Sequence, residues 1–320
     1  MNILICSAGR RVKLIKYFKE ELNKIGGKVI AVDCDSTAPA LHFADIMETV
    51  SPINDPMYIQ NIKSLCKKYQ INAVLSLIDP ELSILADKTD EFLEDNIQVI
   101  VSDKKIVDMC FDKYLTYRIL KSNNIPAVPA FLSLNEVLNE LENKHLTFPL
   151  IVKPRTGSAS IGVRVAKSVE ELENMLDTSE DLIVQPFMAG EEYGIDCYVD
   201  LISNKPTHLF CKRKIKMRAG ETDKSVAVKN QNLVEIIEDL LNKLKLIGPI
   251  DIDCFKTESG YVISEINPRF GGGYPHSHEA GQNFVKCIVN NLKGISNQSQ
   301  IGDYQEESIM IKFDDVMLLN

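Results

Sequence analysis

Residues 249–273 read PIDIDCFKTESGYVISEINPRFGGG, and this stretch predicts a β-hairpin. A strand around Ile250–Phe255 is followed by a turn at Glu258-Ser259-Gly260. The chain then returns as a second strand over Tyr261–Ile266 and reaches three consecutive glycines shortly afterwards. The hairpin therefore sets two strands side by side and leaves the segment that follows it free of side-chain bulk.

One face of this hairpin carries oxygen-bearing side chains. Because side chains two apart on a strand share a face, Glu265 and Asn267 point together. Asp253, on the partner strand, can lie across from them, and Arg269 follows two residues after Asn267. Two carboxylates and an amide oxygen form a hard oxygen site suited to Mg²⁺. An exposed polar hairpin with a glycine-rich loop is the alternative that this stretch alone leaves open.

The composition of the 320-residue chain is that of a globular protein with two or three packed subdomains. Its net charge of −9 argues against a nucleic-acid-binding protein, because there is no broad basic excess to meet phosphates. The eight cysteines are scattered without a Cys-x-x-Cys pair, which predicts a reducing, cytoplasmic setting with neither disulfides nor a zinc site. No apolar run approaches the roughly 20 residues of a membrane span, and the N-terminus lacks a signal-peptide layout.

The first 105 residues or so alternate between strand and helix patterns, which predicts an open, mostly parallel α/β sheet. The expected strands are Asn2–Cys6, Lys28–Asp33, Ala73–Ile78 and Gln98–Val101, and the expected helices are Val12–Leu22, Tyr58–Tyr69 and Glu81–Phe92. Polar residues at the carboxyl ends of the strands fall where such sheets bind ligands, namely Ser7, Arg10, Asp33, Asp79 and Glu81. Ordinary loop polarity explains each of them equally well. The turn at residues 7–11 lacks the Gly-x-Gly-x-x-Gly fingerprint of a dinucleotide site.

Residues 148–165 predict a strand, a loop of small residues and a second strand. Small residues allow backbone N–H groups to close on an anion, and Ser158 and Ser160 add hydroxyl donors. Lys153 lies inside the apolar strand and therefore needs an anionic partner. Farther along, Pro186 interrupts strand pairing, which leaves main-chain groups free to meet a flat heterocycle.

Residues 210–229 hold a local excess of positive charge in this acidic chain. The basic residues are Lys212, Arg213, Lys214, Lys216, Arg218, Lys224 and Lys229. A solvated surface loop and a loop that closes over phosphates explain this segment equally well. The remaining periodicity predicts helices over Asp112–Ser122, Leu134–Asn143, Asn232–Leu246 and Phe284–Asn291, with a peripheral tail from Ser296 onward.

Taken together, these motifs resemble the ATP-grasp superfamily, and within it the carbamoyl-phosphate-synthase-like carboxylate–amine ligases with a single ATP-grasp unit. The resemblance runs along nearly the whole chain, through Ile3–Arg11, Ala31–Asp35, Ile78–Leu82, Asp112-Lys113, Val152–Pro154, Gln185–Glu192 and Glu265–Arg269. It implies an ATP-grasp fold, α+β in its C-terminal part, preceded by a Rossmann-like pre-ATP-grasp parallel sheet. The implied domains are residues 1–108, a small lobe with the phosphate loop over 109–185, and a C-terminal lobe with the magnesium site over 186–320.

The resemblance also implies roles for individual residues. Lys113 and Lys153 would hold ATP phosphates beneath a mobile loop, Gly157–Gly162, that includes Ser158 and Ser160. Gln185, Phe187 and Met188 would contact adenine, and Glu192, with Glu191 as its rival, would take the ribose hydroxyls. Asp253, Glu265 and Asn267 would bind the metal, with Asp251 as a rival for the first position. Arg269 would steady the transferred phosphoryl group, so that Arg269 and Lys153 form the catalytic pair.

The implied activity is an ATP- and Mg²⁺-dependent ligase, with Mn²⁺ as a substitute metal. It would activate a carboxylate as an acyl phosphate and couple it to an amine, releasing ADP and phosphate. Phosphorylation of bicarbonate is one alternative, although the tandem repeat of carbamoyl-phosphate synthase is not visible here. A non-catalytic ATP-binding regulatory module is the other.

The candidate substrate residues are Arg10, Glu81, Arg213, Arg218, Glu221 and His276. His276 and His278 follow the three glycines, where they either line the acceptor pocket or lie on the surface. The expected partners are ATP and small carboxylates and amines, without nucleic acid or membrane, and the resemblance is compatible with a homodimer.

Overall fold

Three β-sheets organise the chain in the computed structural model, which describes residues 1–157, 162–177 and 181–319. The first sheet is built from β1 (Asn2–Cys6), β2 (Lys28–Asp33), β3 (Ile46–Thr49), β4 (Ala73–Ser76) and β5 (Gln98–Val99). Between these strands lie α1 (Val12–Asn23), a 3₁₀ helix (Pro39–Phe43), α2 (Tyr58–Lys68), α3 (Asp79–Asp87) and α4 (Thr89–Glu94). All its strand pairs are parallel, in the order β3-β2-β1-β4-β5. The predicted parallel α/β sheet is confirmed.

Helices cover both faces of this sheet, which explains why its strands are apolar throughout. Ile3 and Ile5 of β1 join the apolar core on one face, and Leu4 and Cys6 join the core on the other. All four side chains are fully buried. Strands that are buried on both faces lose the polar–apolar alternation of a half-exposed sheet.

The middle of the chain forms the small sheet and the helices beside it. These elements are α5 (Lys104–Phe111), α6 (Lys113–Ser122), α7 (Leu134–Glu142), β6 (Leu150–Pro154), β7 (Arg164–Ala166), α8 (Val169–Leu176) and β8 (Leu182–Pro186). The sheet is antiparallel, in the order β7-β6-β8. Asp112 separates α5 from α6, because its side chain accepts a hydrogen bond from the backbone N–H of Leu115 and caps the second helix.

The third sheet is antiparallel and holds six strands in the order β13-β12-β9-β10-β11-β14. Its part of the chain contains β9 (Glu192–Val199), β10 (Pro206–Arg218), β11 (Glu221–Ala227), α9 (Gln231–Leu244), β12 (Gly248–Thr257), β13 (Gly260–Asn267), α10 (Tyr274–Glu279), α11 (Phe284–Leu292) and β14 (Ile309–Ile311). Helix α11 packs on the first sheet, since Phe284, Val285 and Ile288 share one apolar core with Ile3 and Ile5. No helix in the described ranges is long and apolar enough to cross a membrane.

Several expectations about the local structure were wrong. The predicted helix Glu81–Phe92 is two helices that part at Lys88, and both β3 and α5 were missed. The basic segment 210–229 is no loop: its first part belongs to β10, which pairs with β11. The tail after Ser296 is not wholly peripheral, because β14 pairs with β11 and the Tyr304 hydroxyl donates to the backbone carbonyl of Val228.

Asp200, just after β9, ties the turn that follows it to the C-terminal part of the chain. Its buried carboxylate accepts hydrogen bonds from the backbone N–H of Ser203 and from the side-chain amides of Asn291 and Asn297. Burial alone would raise the pKa of this carboxyl, but these donors hold the pKa well below its usual range. The ionised form of Asp200 therefore stabilises the fold.

Replacing Asp200 with Asn should lower the free energy of unfolding by about 2 kcal/mol near neutral pH, because charge-assisted hydrogen bonds are lost. The pKa of Asp200 is lower in the folded than in the unfolded chain, where it is about 3.9. Its contribution is thus present above about pH 4 and is lost as the pH falls toward the folded-state pKa. Urea unfolding at neutral and acidic pH measures this contribution. The difference in unfolding free energy between wild type and variant should become smaller in acid. A difference that does not change with pH would contradict the role given to the ionised Asp200.

Candidate active site

A cleft of about 300 Å³ lies between the small sheet and the six-stranded sheet, with Arg11 of the N-terminal part at one end. Its wall contains many of the residues that the sequence singled out: Lys153, Gln185, Phe187, Met188, Glu192, Glu221, Asp253, Glu265, Asn267 and Arg269. These residues come from stretches far apart in the chain. The fold brings them to one space.

The hairpin of β12 and β13 supplies the acidic wall of the cleft, and its prediction is confirmed. Asp253 pairs directly with Glu265, and Asp251 pairs with Asn267. Because paired residues on antiparallel strands point to the same face, all four side chains share one side of the sheet. The side chains of Glu265 and Asn267 take part in no hydrogen bond within the described residues. Their oxygens are therefore available to a ligand.

Lys214 of β10 bridges this wall to the rim of the cleft. Its Nζ lies 2.7 Å from Asp253 Oδ1 and 2.7 Å from Glu192 Oε1. Burial would lower the pKa of Lys214, but the two carboxylates raise the pKa above the ordinary lysine value. Asp253 Oδ1 is buried and accepts no hydrogen bond of good geometry, even from Lys214 at that distance. Asp253 is therefore paired with a cation, although Oδ1 accepts no well-formed hydrogen bond within the described residues.

Arg269 is held by carboxylates from two different parts of the chain. Its Nη2 lies 2.8 Å from Asp79 Oδ2, at the start of α3, and its Nη1 lies 3.7 Å from Asp251 Oδ2. Burial alone would lower the pKa of Arg269, but Asp79 and Asp251 raise it, so the guanidinium stays charged. A Cβ at Gly271 would lie 2.4 Å from Asp251 Cγ, so glycine is needed for the chain to pass this carboxylate.

Two lysines from the middle of the chain, Lys113 and Lys153, lie near Glu265. Burial lowers the pKa of both Lys113 and Lys153, and the nearby charge of Glu265 partly offsets this effect. Lys113 Nζ donates to the backbone carbonyl of Gly157. No ion pair or side-chain hydrogen bond of Lys153 occurs within the described ranges. Lys153 is therefore a cation that lines the cleft and still needs an anion.

The pKa of Glu265 shifts upward, opposite in direction to the pKa values of the two lysines. Burial and the neighbouring Asp253 raise the pKa of its carboxyl, and Lys113 and Lys153 lower it in part. Burial thus disfavours the charged form of Glu265 and of both lysines. A divalent cation beside the carboxylates and an anion beside the lysines would relieve both effects at once.

The described part of the chain contains no cluster of three or more His, Cys, Asp and Glu side chains placed to bind a metal. The candidate set consists of two carboxylates and one amide oxygen, Asp253, Glu265 and Asn267. An oxygen set of this kind, completed by water and phosphate oxygens, is what Mg²⁺ prefers.

Apolar side chains line the other end of the cleft. Phe187 is 47% exposed, and Ile151, Val163 and Phe255 are further wall residues beside it. Gln185 is buried. Such walls suit a flat ring system, with polar contacts left to a few groups. Glu192 lines the cleft and contacts Lys214, whereas Glu191 accepts from the Tyr193 hydroxyl and lies 3.4 Å from Arg213 Nε.

Two candidate substrate residues do not reach the cleft, which corrects the expectation for them. Glu81 is fully buried and accepts hydrogen bonds from the hydroxyls of Tyr58 and Ser76, because it fills the polar end of the first sheet. His276 is buried in α10, where its ring nitrogens contact Ser225 and Ser308. Burial lowers the pKa of His276 to about 4, so it is neutral near pH 7.

The remaining candidates lie at the margin of the cleft or outside the described residues. Arg218 pairs with Asp223 and Asp314, and Arg213 pairs with Glu191, so the cleft wall contains neither. Arg10 contacts Glu221 at the rim. Gly157 faces a small cavity beside Glu265, and Gly162 has a positive φ of 74°. Ser158 and Ser160 lie outside the described residues.

The sequence did not single out Arg11, although its neighbour Arg10 was named. Lys214 was counted only as one of a run of charges. A signal for Lys214 was available, because Lys212, Lys214 and Lys216 occupy every second position after the apolar residues Leu209 and Phe210, with Arg213 and Ile215 between them. Charged residues at every second position of a strand share one face, and such a face must be solvated or neutralised.

Comparison with known proteins gives two family matches. Residues 3–100 match the family described as "PylC-like, N-terminal domain", and residues 110–273 match the family described as "ATP-grasp domain". Among curated proteins, D-alanine–D-alanine ligase of Bacillus anthracis is 26% identical over 198 residues, which are 60% of each chain. The same enzyme of Thermotoga petrophila is 33% identical over 129 residues, 36% of this chain and 40% of the relative. The chain thus spans less than two thirds of the length of these relatives.

Solved structures share the fold over almost the whole chain. The biotin carboxylase domain of Hydrogenobacter thermophilus 2-oxoglutarate carboxylase has a TM-score of 0.75 at 15% identity, covering 96% of this chain and 73% of that one. N5-carboxyaminoimidazole synthetase of Staphylococcus aureus has a TM-score of 0.73 at 18% identity, covering 93% of this chain and 78% of that one. L-Amino acid ligase of Bacillus licheniformis has a TM-score of 0.71 at 18% identity, covering 93% of this chain and 75% of that one.

Replacing Lys214 with Met should lower the free energy of unfolding by about 3 kcal/mol, because two carboxylates lose a buried cation that both of them contact. Lys88→Met is the matched control: it removes a cation that contacts two exposed carboxylates, Asp87 and Glu91, and should cost much less, because exposed ion pairs contribute little to stability. Urea unfolding without added metal or nucleotide compares the two variants. Equal losses of unfolding free energy in the two variants would contradict the role given to Lys214.

Proposed function

This chain belongs to the ATP-grasp family, and on that basis we propose that it is an ATP- and Mg²⁺-dependent ligase. It activates a carboxylate as an acyl phosphate and couples it to an amine, releasing ADP and phosphate. One observation carries the proposal: the cleft joins an acidic wall for a divalent cation, a charged arginine and a lysine that has no anionic partner among the described residues. Phosphoryl transfer needs alignment and charge neutralisation more than covalent help from the protein.

Asp253, Glu265 and Asn267 would hold Mg²⁺. Their fit rests on the side-chain oxygens of Glu265 and Asn267, which form no hydrogen bond within the described residues, and on Asp253 Oδ1, which contacts Lys214 without a well-formed hydrogen bond. When bound, the ion would neutralise negative charge on the phosphates of ATP. Asp251 is a weaker candidate, because its carboxylate is packed against the backbone at Gly271 and lies beside Arg269. Mn²⁺ accepts the same oxygen ligands and is the expected substitute.

Lys153 and Lys113 would bind the phosphates of ATP. Burial disfavours their charged form in the free protein, and the triphosphate supplies the missing negative charge. Gln185, Phe187 and Met188 would form the adenine site, and Glu192, on the cleft wall, would take the ribose hydroxyls. Glu191 fits that role less well, because its oxygens already contact Tyr193 and Arg213.

Arg269 would stabilise the phosphoryl group in transfer and the acyl phosphate that results. Its guanidinium remains charged, and Asp79 and Asp251 hold it in place before substrate arrives. A preorganised cation of this kind pays no reorganisation cost at the moment of reaction. The amine then displaces phosphate from the acyl phosphate, which forms the C–N bond and releases inorganic phosphate.

The D-alanine–D-alanine ligases and the L-amino acid ligase named above act on amino acids by their names, and we propose amino acids or similar small molecules as substrates of this chain too. An ADP-release screen over amino acids and small carboxylates, singly and in pairs, tests this. Release that requires an acid and an amine together supports the ligase. Release with bicarbonate alone would support bicarbonate phosphorylation instead, and no release with any combination would favour a regulatory ATP-binding module.

Replacing Glu265 with Gln should reduce Mg²⁺-dependent ADP release by at least about 100-fold, because a metal ligand loses its charge. Glu235→Gln, on the surface of α9, is the matched control and should leave the rate unchanged. Both variants should unfold at nearly the wild-type urea concentration. Undiminished ADP release by the Glu265 variant would remove the metal role.

Replacing Lys153 with Met should weaken the stabilisation that ATP gives against thermal unfolding, because a phosphate contact is lost. Lys167→Met, in the same lobe and with an exposed side chain, serves as the control. Thermal unfolding across an ATP titration yields an apparent affinity for each protein, and we expect a loss of about tenfold or more for the Lys153 variant only. An unchanged affinity would exclude the phosphate role.

A further inference from the structure

The end of the cleft opposite the apolar walls holds more positive than negative charge. Glu221 is contacted by three cations: Arg10 Nη2 at 3.2 Å, Arg11 Nη2 at 3.3 Å and Lys312 Nζ at 3.0 Å. Burial would raise the pKa of Glu221, but these cations lower it to about 2. Glu221 is therefore ionised near neutral pH, and three positive charges surround a single carboxylate.

Arg11 is the one of these cations that forms part of the cleft wall. The hydrogen bonds that Glu221 accepts from side chains come from Arg10 and Lys312, and the Arg11 side chain donates no hydrogen bond within the described residues. A guanidinium has five N–H donors and no acceptor. Arg11 therefore presents unused donors to the cleft although only 20% of its side chain is exposed.

The backbone after Arg269 is shaped around Arg11. A Cβ at Gly272 would lie 2.8 Å from Arg11 Nη1 and 2.8 Å from Glu221 Cδ, so a larger residue would displace the guanidinium. Lys312, which follows β14, reaches the same carboxylate because its backbone N–H donates to the carbonyl of Asp223 on β11. The end of the cleft is thus assembled from the N-terminal part, the β10–β11 hairpin, the glycine segment and the last strand.

Arg11 and Arg269 line one cleft but have different surroundings. Arg269 already contacts Asp79 and Asp251, which hold it in position, as expected of a residue that stabilises a transient phosphoryl group. Within the described residues Arg11 contacts one carboxylate, Glu221, which it shares with two other cations, and Asp251 acts on it at longer range. A planar guanidinium with free donors matches a carboxylate through two parallel hydrogen bonds.

We propose that Arg11, supported by Lys312 and Arg10 around Glu221, binds a substrate carboxylate other than the one that is activated. This inference rests on the proposed ligase function. The carboxylate belongs either to an amino acid that serves as the amine or to a dicarboxylate that serves as the acid. In both cases Arg11 orients the substrate and selects for an anionic group, while the reacting carboxylate lies toward Arg269.

Ligand binding to the protein in excess ADP and Mg²⁺ tests this without turnover, by isothermal titration calorimetry and thermal unfolding. One arm compares each common amino acid with its carboxamide. The other compares succinate and glutarate with their monoamides. We expect wild type to prefer the carboxylate by about tenfold or more in at least one arm, which identifies the source.

Arg11→Met should abolish this preference, Lys312→Met should reduce it, and Arg11→Lys should retain only part of it because the two-donor fork is lost. Lys13→Met is the control, since it removes one positive charge from the same end of α1, where Lys13 contacts Glu279. A preference that persists in Arg11→Met, or none in wild type in either arm, would overturn the proposal. Selective binding of inorganic phosphate in place of carboxylates would overturn it as well.

Measuring ADP release by the wild-type protein distinguishes a failure of the proposed Arg11 site from a failure of the proposed ligase function. A carboxylate preference that depends on Arg11, without ADP release under any condition, would support the site and reject the ligase. ADP release from an acid and an amine, with a preference unaffected by Arg11→Met, would support the ligase and reject the site.

Discussion

Three carboxylates of one β-hairpin, Asp251, Asp253 and Glu265, face the same cleft, and each must be balanced by a cation. Uncompensated charges in a partly buried space would be costly. Lys214 balances Asp253, and Arg269 lies beside Asp251. Glu265 has only the longer-range influence of two lysines, so its balance is incomplete. This incompletely balanced charge favours the binding of a metal ion and a polyphosphate in the cleft.

The same ion pairs connect the parallel sheet to the six-stranded sheet and tie strands of the six-stranded sheet to one another. Asp79, at the end of the parallel sheet, contacts Arg269 after the hairpin, and Lys214 joins the hairpin to Glu192 at the start of β9. Mutually supporting contacts of this kind fix the relative positions of groups from distant parts of the chain. The glycines at 271 and 272 allow this approach, because a side chain there would collide with Asp251 or with Arg11.

Features that depend on local periodicity were predictable from the sequence. The parallel sheet and the β12–β13 hairpin follow from strand patterns and turn residues, and the pairing of Asp253 with Glu265 follows from hairpin geometry. The partners of charged residues were not predictable in this way. Arg11 and Glu221 are 210 positions apart, and no rule of spacing connects them. Glu81 shows the reverse case: it looked like a ligand-binding residue, but Tyr58 and Ser76 use its oxygens.

The acidic wall is proposed to bind a divalent cation together with the phosphates of ATP. A crystal structure with Mn²⁺ and a non-hydrolysable ATP analogue would test this, because anomalous scattering locates the metal. We expect a metal peak within coordinating reach of Asp253, Glu265 and Asn267, with the phosphates beside Lys153. A metal and nucleotide bound away from these residues would contradict this proposal.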